Sequence, residues 1–292
     1  GLGDVYKRQM LTALELLGAE NYEIDSVTAD AIKADAPLLR DADKHELSRR
    51  FTRILLTRNI SGVMARFPEV FSAIEPELLK AQRYKERYYD STLWEHISKS
   101  VEFAPPQADI RNAMLFHNVG IPDCRCCDSH GNTFFYGHGE YGRITAANFF
   151  EKYRAELKLR SDTDMLIESH DISITEDRTA VKRLLCQYSH EELKKLIKLR
   201  IADDTAKPTV HEGVIAMYRR TLTMLEDIIA SGECYSISQL AIKENDLITH
   251  RLVANKAQAR AVIESLYEAV LAEPSLNVAP ILFDMVRKSV RR

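Results

Sequence analysis

Glycine and proline are scarce in this sequence, at 11 and 9 of 292 residues, which excludes a collagen-like or structureless chain. No apolar run approaches the ~20 residues needed to span a bilayer, and no signal peptide is legible, so a cytoplasmic protein with no membrane partner is expected. Cysteine is limited to five residues, three of them crowded at Cys124, Cys126 and Cys127. That spacing is no disulfide framework, and reduced thiols are expected. Basic residues are not in excess: 40 Lys and Arg stand against 43 Asp and Glu, for a formal net charge of -3. Bulk attraction to polyanions is thereby excluded, and any nucleic-acid contact must use a local patch. Glycine-rich phosphate loops, a Gly-x-Ser-x-Gly elbow and the His-Glu-x-x-His spacing are also missing, which removes the enzyme classes built on them.

What the sequence has is helix. Ala, Leu, Glu, Lys and Arg abound, and no alternation of strand with helix points to a parallel sheet, so a mostly α fold is expected. A single core stops growing near roughly 250–300 residues, which suits more than one domain. Residues 1–9, GLGDVYKRQ, show no helix or strand pattern and precede Met10; they resemble a translated sequencing-adaptor leader. Apolar residues from Leu11 to Leu17 share one helical face, and Gly18 ends the pattern. A serine cap at Ser26 opens a second helix, and Asp43 to Leu56 reads as a third with Leu47, Phe51, Ile54 and Leu55 as its stripe. Residues 10–79 therefore form a small helical module. Residues 80–208 carry helices near Leu93 to Phe103 and Ile110 to Val119, then a β-hairpin. In that hairpin Cys124 to Cys127 and Thr133 to Tyr136 flank the turn Asp128-Ser-His-Gly131-Asn132. Residues 209–292 are a third, helical module.

The chemistry-bearing residues are histidines at helix ends: His96, His117, His138 and His170, with Asp203 as a carboxylate that can join them. Neutral imidazoles and a carboxylate suit divalent transition metals, and a bound ion can activate water for phosphoester hydrolysis. Each histidine alone reads rather as a helix cap or a half-buried ring with one hydrogen bond. Cys124, Cys126, Cys127 and His130 offer a second set of metal donors, but adjacent strand residues point to opposite faces. Tyr84, Tyr88, Tyr89 and Trp94 read either as a packed aromatic cluster or as stacking groups for unpaired bases.

The order His96, then His117-Asn118, then Asp203 resembles the HD-domain family of metal-dependent phosphohydrolases, with Asn118 where that family has aspartate. An amide oxygen is a neutral, weaker ligand than a carboxylate. The stretch MLFHNVGIPDCRCCDSHGNTFFYGH, Met114 to His138, resembles more narrowly the LLHDIGKP…D-x-x-G-x-x-H-F-Y-G-H segment of bacterial CCA-adding tRNA nucleotidyltransferases. Ile121 replaces the usual lysine there, and Phe134 the usual histidine. Upstream, LGAENYEIDSVTADAIKADAPLL is similar to that family's helical RNA-binding body. Downstream, Leu240-Ala-Ile-Lys-Glu-Asn-Asp-Leu247 is similar to its C-terminal Leu-Ala-x-x-Gly-x-Asp-Leu stretch.

The resemblance implies a helical RNA-binding body at 10–79, an HD-like domain with a small β-hairpin at 80–208 and a helical tail at 209–292. It implies tRNA as partner, with ATP and CTP as substrates of the full-length family only and monomer or homodimer both open. The family's catalytic Asp-x-Asp pair, which binds magnesium, lies in an N-terminal head that no motif here matches. A truncated fragment unable to transfer nucleotides by itself is therefore expected. The implied metal ligands are His96, His117, Asn118 and Asp203, with His138 and His170 as further candidates. The implied RNA contacts are Arg49, Arg50, Arg53 and Arg58. The family's Glu-Arg-x-x-x-Glu motif is altered here to His45-Glu46-Leu-Ser-Arg49-Arg50, in which Glu46 and Arg50 are spaced to pair along a helix. Lys194, Lys195, Lys198 and Arg200 read as a solvated face interleaved with acids.

Overall fold

The computed structural model describes residues 2–19, 22–85 and 92–290. Among them are sixteen α-helices and one two-stranded antiparallel hairpin, so the mostly α expectation is borne out. The helices are α1 (Leu2–Ala19), α2 (Ser26–Asp35), α3 (Lys44–Leu55), α4 (Ile60–Arg66), α5 (Pro68–Ile74), α6 (Leu78–Arg83), α7 (Leu93–Phe103) and α8 (Ala108–Phe116). The hairpin strands β1 (Cys126–Cys127) and β2 (Thr133–Phe134) follow. Then come α9 (His138–Lys152), α10 (Leu157–Glu168), α11 (Arg178–Gln187), α12 (His190–Ala206), α13 (Glu212–Ala230), α14 (Glu244–Thr249), α15 (Lys256–Ala272) and α16 (Ala279–Val290). The chain divides into two compact units: Gly1–Ile172 with Lys198–Ile215, and Ser173–Ile197 with Ala216–Arg292. The first unit holds both the residues expected as the body and those expected to carry the histidines.

Two local expectations change. Residues 2–9 are helical and continue into the apolar stripe, so α1 is one helix in which Met10, Leu11, Leu14 and Leu17 are buried. The polar first half is tied down by Lys7, whose Nζ donates to the Asp41 carbonyl at 2.9 Å. The cap of α2 is Asp25, which accepts from the Thr28 amide at 3.0 Å; Ser26 is already helical. A carboxylate there also complements the helix dipole.

Helix α3 follows its sequence pattern. Asp43 accepts from the Glu46 amide at 2.8 Å, and Leu47, Phe51, Ile54 and Leu55 are all buried. Phe51 meets Phe71 and Phe149 with ring centroids 5.7 and 5.4 Å apart, each such side chain contributing about 1.5–3 kcal/mol by burial. Below this cluster, buried Arg111 of α8 donates to the carbonyls of Leu55, Thr57, Ala104 and Glu102. These are the partnerless carbonyls at the C-terminal ends of α3 and α7, and a cation suits the negative end of both helix dipoles. Helix α7 in turn packs on α4, α6 and α8, and α10 on α8 and α9.

In the second unit Leu247, Ile263, Val270 and Leu282 lie at the centre of a separate core. An ion cluster anchored on buried Lys182 borders it. Lys182 donates to the Leu271 carbonyl at 3.1 Å and pairs with Glu233 at 2.5 Å, and Arg178 also binds Glu233 and Asp227. The Arg178 hydrogen bond, aided by Lys182 and opposed by burial, holds the Glu233 carboxyl down at about 2. A group lowered in the folded state stabilises it above the ordinary value, here 4.5, and loses that contribution as pH falls through the folded value. Acid unfolding followed by circular dichroism should therefore show stability falling by roughly 2–3 kcal/mol between about pH 4.5 and 2. Glu233→Gln should flatten that dependence while lowering stability at neutral pH; an unchanged acid limb would count against the assignment.

Candidate metal centre

The histidines sit where helices end, and the ends explain their orientation. His117 caps α8, and its Nδ1 donates back to the Met114 carbonyl at 2.8 Å. His138 opens α9, with Nδ1 on the Phe135 carbonyl at 2.8 Å. His170 follows α10, with Nδ1 on the Ile167 carbonyl at 2.7 Å. A carbonyl only accepts, so each of these rings carries its proton on Nδ1 and, when neutral, presents a bare Nε2. His96, in the first turns of α7, is set by a capping box in which Thr92 and Glu95 satisfy each other's backbone amides.

The Nε2 atoms converge. Asp203 of α12 places Oδ1 at 3.0 Å from His96 Nε2 and 3.1 Å from His117 Nε2. The Nε2 atoms of His138 and His170 face each other at 3.0 Å, with Asp171 at 3.6 and 3.3 Å from them. The His117 and His170 rings, 5.5 Å apart, join the two groups. Among the described residues these are the two groups able to hold a metal ion, with ligand atoms within 4.8 Å of one another. The Cys124, Cys126 and Cys127 thiols belong to neither: Cys126 lies against the Phe134 carbonyl and Cys127 against Thr133.

Lone pairs facing lone pairs across about 3 Å are repulsive unless a cation stands between them. Burial, then the neighbouring His117 ring, hold His170 down to about 4, so protonating it is a poor solution at neutral pH. Burial alone would raise Asp203; the His117 and His96 rings, when protonated at Nε2, outweigh burial and hold the carboxyl well below the usual range. A divalent ion meets the requirement. With bonds of about 2.0–2.1 Å, two nitrogens 3.0 Å apart subtend roughly 90° at the metal, and two imidazoles with one carboxylate are an accepted donor set. The donors therefore fit a metal. Asn118 stands beside them, with its amide nitrogen 2.7 Å from His117 Nε2; a 180° flip presents its oxygen instead.

A cleft of about 330 Å³ opens over the first group, lined by Thr92, Leu93, Ile121 and Pro208 beside His96, Asn118 and Asp203. Arg200 and Lys207 also line it. Arg200 reaches Asp171 at 3.5 Å and the His170 carbonyl at 3.2 Å; Lys207 reaches Asp203 at 3.5 Å and also pairs with Asp204. Both cations are paired with carboxylates, so a phosphate group would share them with Asp171, Asp203 and Asp204.

The sequence reading named every histidine that converges, and Asn118 and Asp203 with them. It missed Asp171, although the His170-Asp171 dipeptide was the available signal, and it took Arg200 as surface. Lys207 carried no signal, since a lone lysine after a helix is ordinary. The RNA-binding candidates separate: Arg49, Arg53 and Arg58 are exposed, whereas Arg50 turns inward to Glu46 at 2.9 Å, Glu15 at 3.2 Å and Thr12 at 3.0 Å. The spacing of Glu46 and Arg50 is thus realised as an ion pair. Trp94 is buried, its indole N–H on the Met64 carbonyl at 3.0 Å and its ring against Phe71; Tyr88 and Tyr89 lie outside the described residues. Lys194 pairs with Glu226 at 2.5 Å, and Lys194, Lys195, Lys198 and Arg200 are all half-buried, so the expected solvated face is not what forms.

No protein-family model matches this sequence, and no curated protein matches it. Among solved structures the chain is similar to the CCA-adding enzyme of Bacillus stearothermophilus, crystallised in complex with CTP, at a TM-score of 0.56 and 15% identity. The match covers 98% of this chain and 62% of that one. At this identity the likeness is one of fold, and this chain spans less than two thirds of that enzyme's length.

Proposed function

We propose that this chain is the tRNA-binding and HD-like portion of a tRNA nucleotidyltransferase of the CCA-adding kind. The observation that carries this reading is a fold similar to a CCA-adding enzyme over 98% of the chain, in step with the three sequence segments that resemble the same family in the same order. The gripping surface is Arg49, Arg53 and Arg58, which present three exposed guanidinium groups on and just after α3. In this reading the part these residues play in the reaction is to hold tRNA. A gel-shift of tRNA at low salt tests this. Retardation is expected, and a triple Arg49→Ala, Arg53→Ala, Arg58→Ala variant should weaken it on the order of tenfold and flatten the salt dependence. No retardation of the unmodified chain would end the reading.

A second reading is favoured by the facing imidazole nitrogens: the centre is a metal-dependent phosphohydrolase site for nucleotides or phosphodiesters. His96, His117 and Asp203 would hold one divalent ion, and His138, His170 and Asp171 have the donors for another. When bound, such an ion supplies Lewis acidity that activates water and polarises a phosphoryl oxygen. Arg200 and Lys207 then neutralise the substrate's charge, and Leu93, Ile121 and Pro208 shield the reacting group from bulk water.

A further inference from the structure

A second cleft, of about 360 Å³, lies beside the His138 and His170 pair and is lined by Phe135, Tyr136, Gly137, Glu140, Glu168 and Asp171. At its lip Tyr136 and Phe134 are stacked, with ring planes 7° apart and centroids at 5.4 Å. Tyr136 is 74% exposed and Phe134 36%, so the outer face of Tyr136 meets solvent while the more covered Phe134 backs it. The hairpin turn fixes the pair in place. Asp128 accepts from the amides of His130 and Asn132 at 2.9 and 2.8 Å, and Gly137, at φ 83°, turns the chain directly from Tyr136 into His138.

The charges of the two clefts divide the work between them. Glu140, Glu168 and Asp171 line the aromatic cleft, and the nearby Arg143 is engaged by Glu140 and Asp164. A phosphate is repelled there. A neutral base is not, and an exocyclic amine finds carboxylate acceptors. Arg200 and Lys207 line the other cleft with Asp203, and Asp171 borders both. That cleft balances two cations against two carboxylates, whereas the aromatic cleft is lined by carboxylates and no Lys or Arg. We propose that Tyr136, backed by Phe134, is a stacking platform for an unpaired nucleobase bearing an exocyclic amine, with the attached phosphate directed to the histidine centre. This deepens, and for the phosphate's position rests on, the reading of that centre as a nucleotide phosphohydrolase site.

Base stacking on one aromatic residue supports about a tenfold or greater gain in affinity. The test is isothermal titration of the full chain with adenosine, AMP and ribose 5-phosphate, in manganese, alongside titration with manganese alone. AMP should bind about tenfold more tightly than ribose 5-phosphate. Tyr136→Ala should erase that advantage and the binding of adenosine, Tyr136→Phe should keep both, and manganese binding should be the same in all three proteins. Equal affinity for AMP and ribose 5-phosphate, or a Tyr136→Ala variant that still prefers AMP, overturns the platform. If manganese does not bind but adenosine binds in a Tyr136-dependent way, the platform stands and the metal reading of the centre fails.

Discussion

Asp203→Asn is expected to lower affinity for manganese or nickel by at least about 100-fold while the far-UV circular dichroism keeps its helical form. Asp203 is the one anion among the donors at the first group, since His96 and His117 bring neutral nitrogens and Asn118 a neutral amide. Its Oδ1 lies within 3.1 Å of both rings, so losing its charge removes the electrostatic centre of the set, while asparagine preserves the shape. The reciprocal change, Asn118→Asp, adds a second carboxylate beside His117 and should raise affinity on the order of tenfold or more. Titration calorimetry reads both, and hydrolysis of p-nitrophenyl phosphate with manganese or nickel should follow the same order. A chain that takes up neither ion at millimolar concentration, or an Asp203→Asn variant that binds as tightly as the unmodified chain, would show that the nitrogens are held by protons and not by a metal.

How much of this was legible in advance depends on the range over which each signal acts. The stripe Leu47, Phe51, Ile54 and Leu55 is local, and helical periodicity placed its burial correctly. The hairpin was legible because Asp128, Gly131 and Asn132 are turn residues whose hydrogen bonds close within five positions. Convergence was not legible in the same way. His96 and Asp203 are 107 positions apart, and periodicity says which face of a helix is buried without saying which helix covers it. Their pairing was available only through a family resemblance. Arg50 shows the reverse failure: charge on a helix suggested a solvent-facing grip, but Glu15 of α1 and Glu46 draw it inward. Residues 2–9 misled because their residue types carry no amphipathic stripe; their helix extends one whose apolar half is buried further along.

The largest effect on folding is expected from Gly142→Ala. Helices α8 and α9 deliver His117 and His138 to the centre, and α9 reaches its place by lying directly on the end of α8. A Cβ at position 142 would stand 2.3 Å from the Phe116 carbonyl oxygen, 3.3 Å from its carbon and 3.4 Å from the His117 carbonyl oxygen. All three are backbone atoms, so no rotamer change makes room. Either α9 shifts outward or α8 unwinds at its last turn, where the Met114 carbonyl orients His117. Destabilisation of about 3 kcal/mol is expected, a fall in thermal midpoint of roughly 6–12 °C in a chain of this size, together with loss of high-affinity manganese binding. Gly213→Ala is the control. Position 213 lies in the first turn of α13 with nothing within 4 Å of an added Cβ, so alanine there should be neutral or stabilise by up to about 1 kcal/mol. If Gly142→Ala melts with the unmodified chain and still binds manganese, the approach of α9 to α8 is looser than the structure has it, and the two histidine groups are not held in register by this contact.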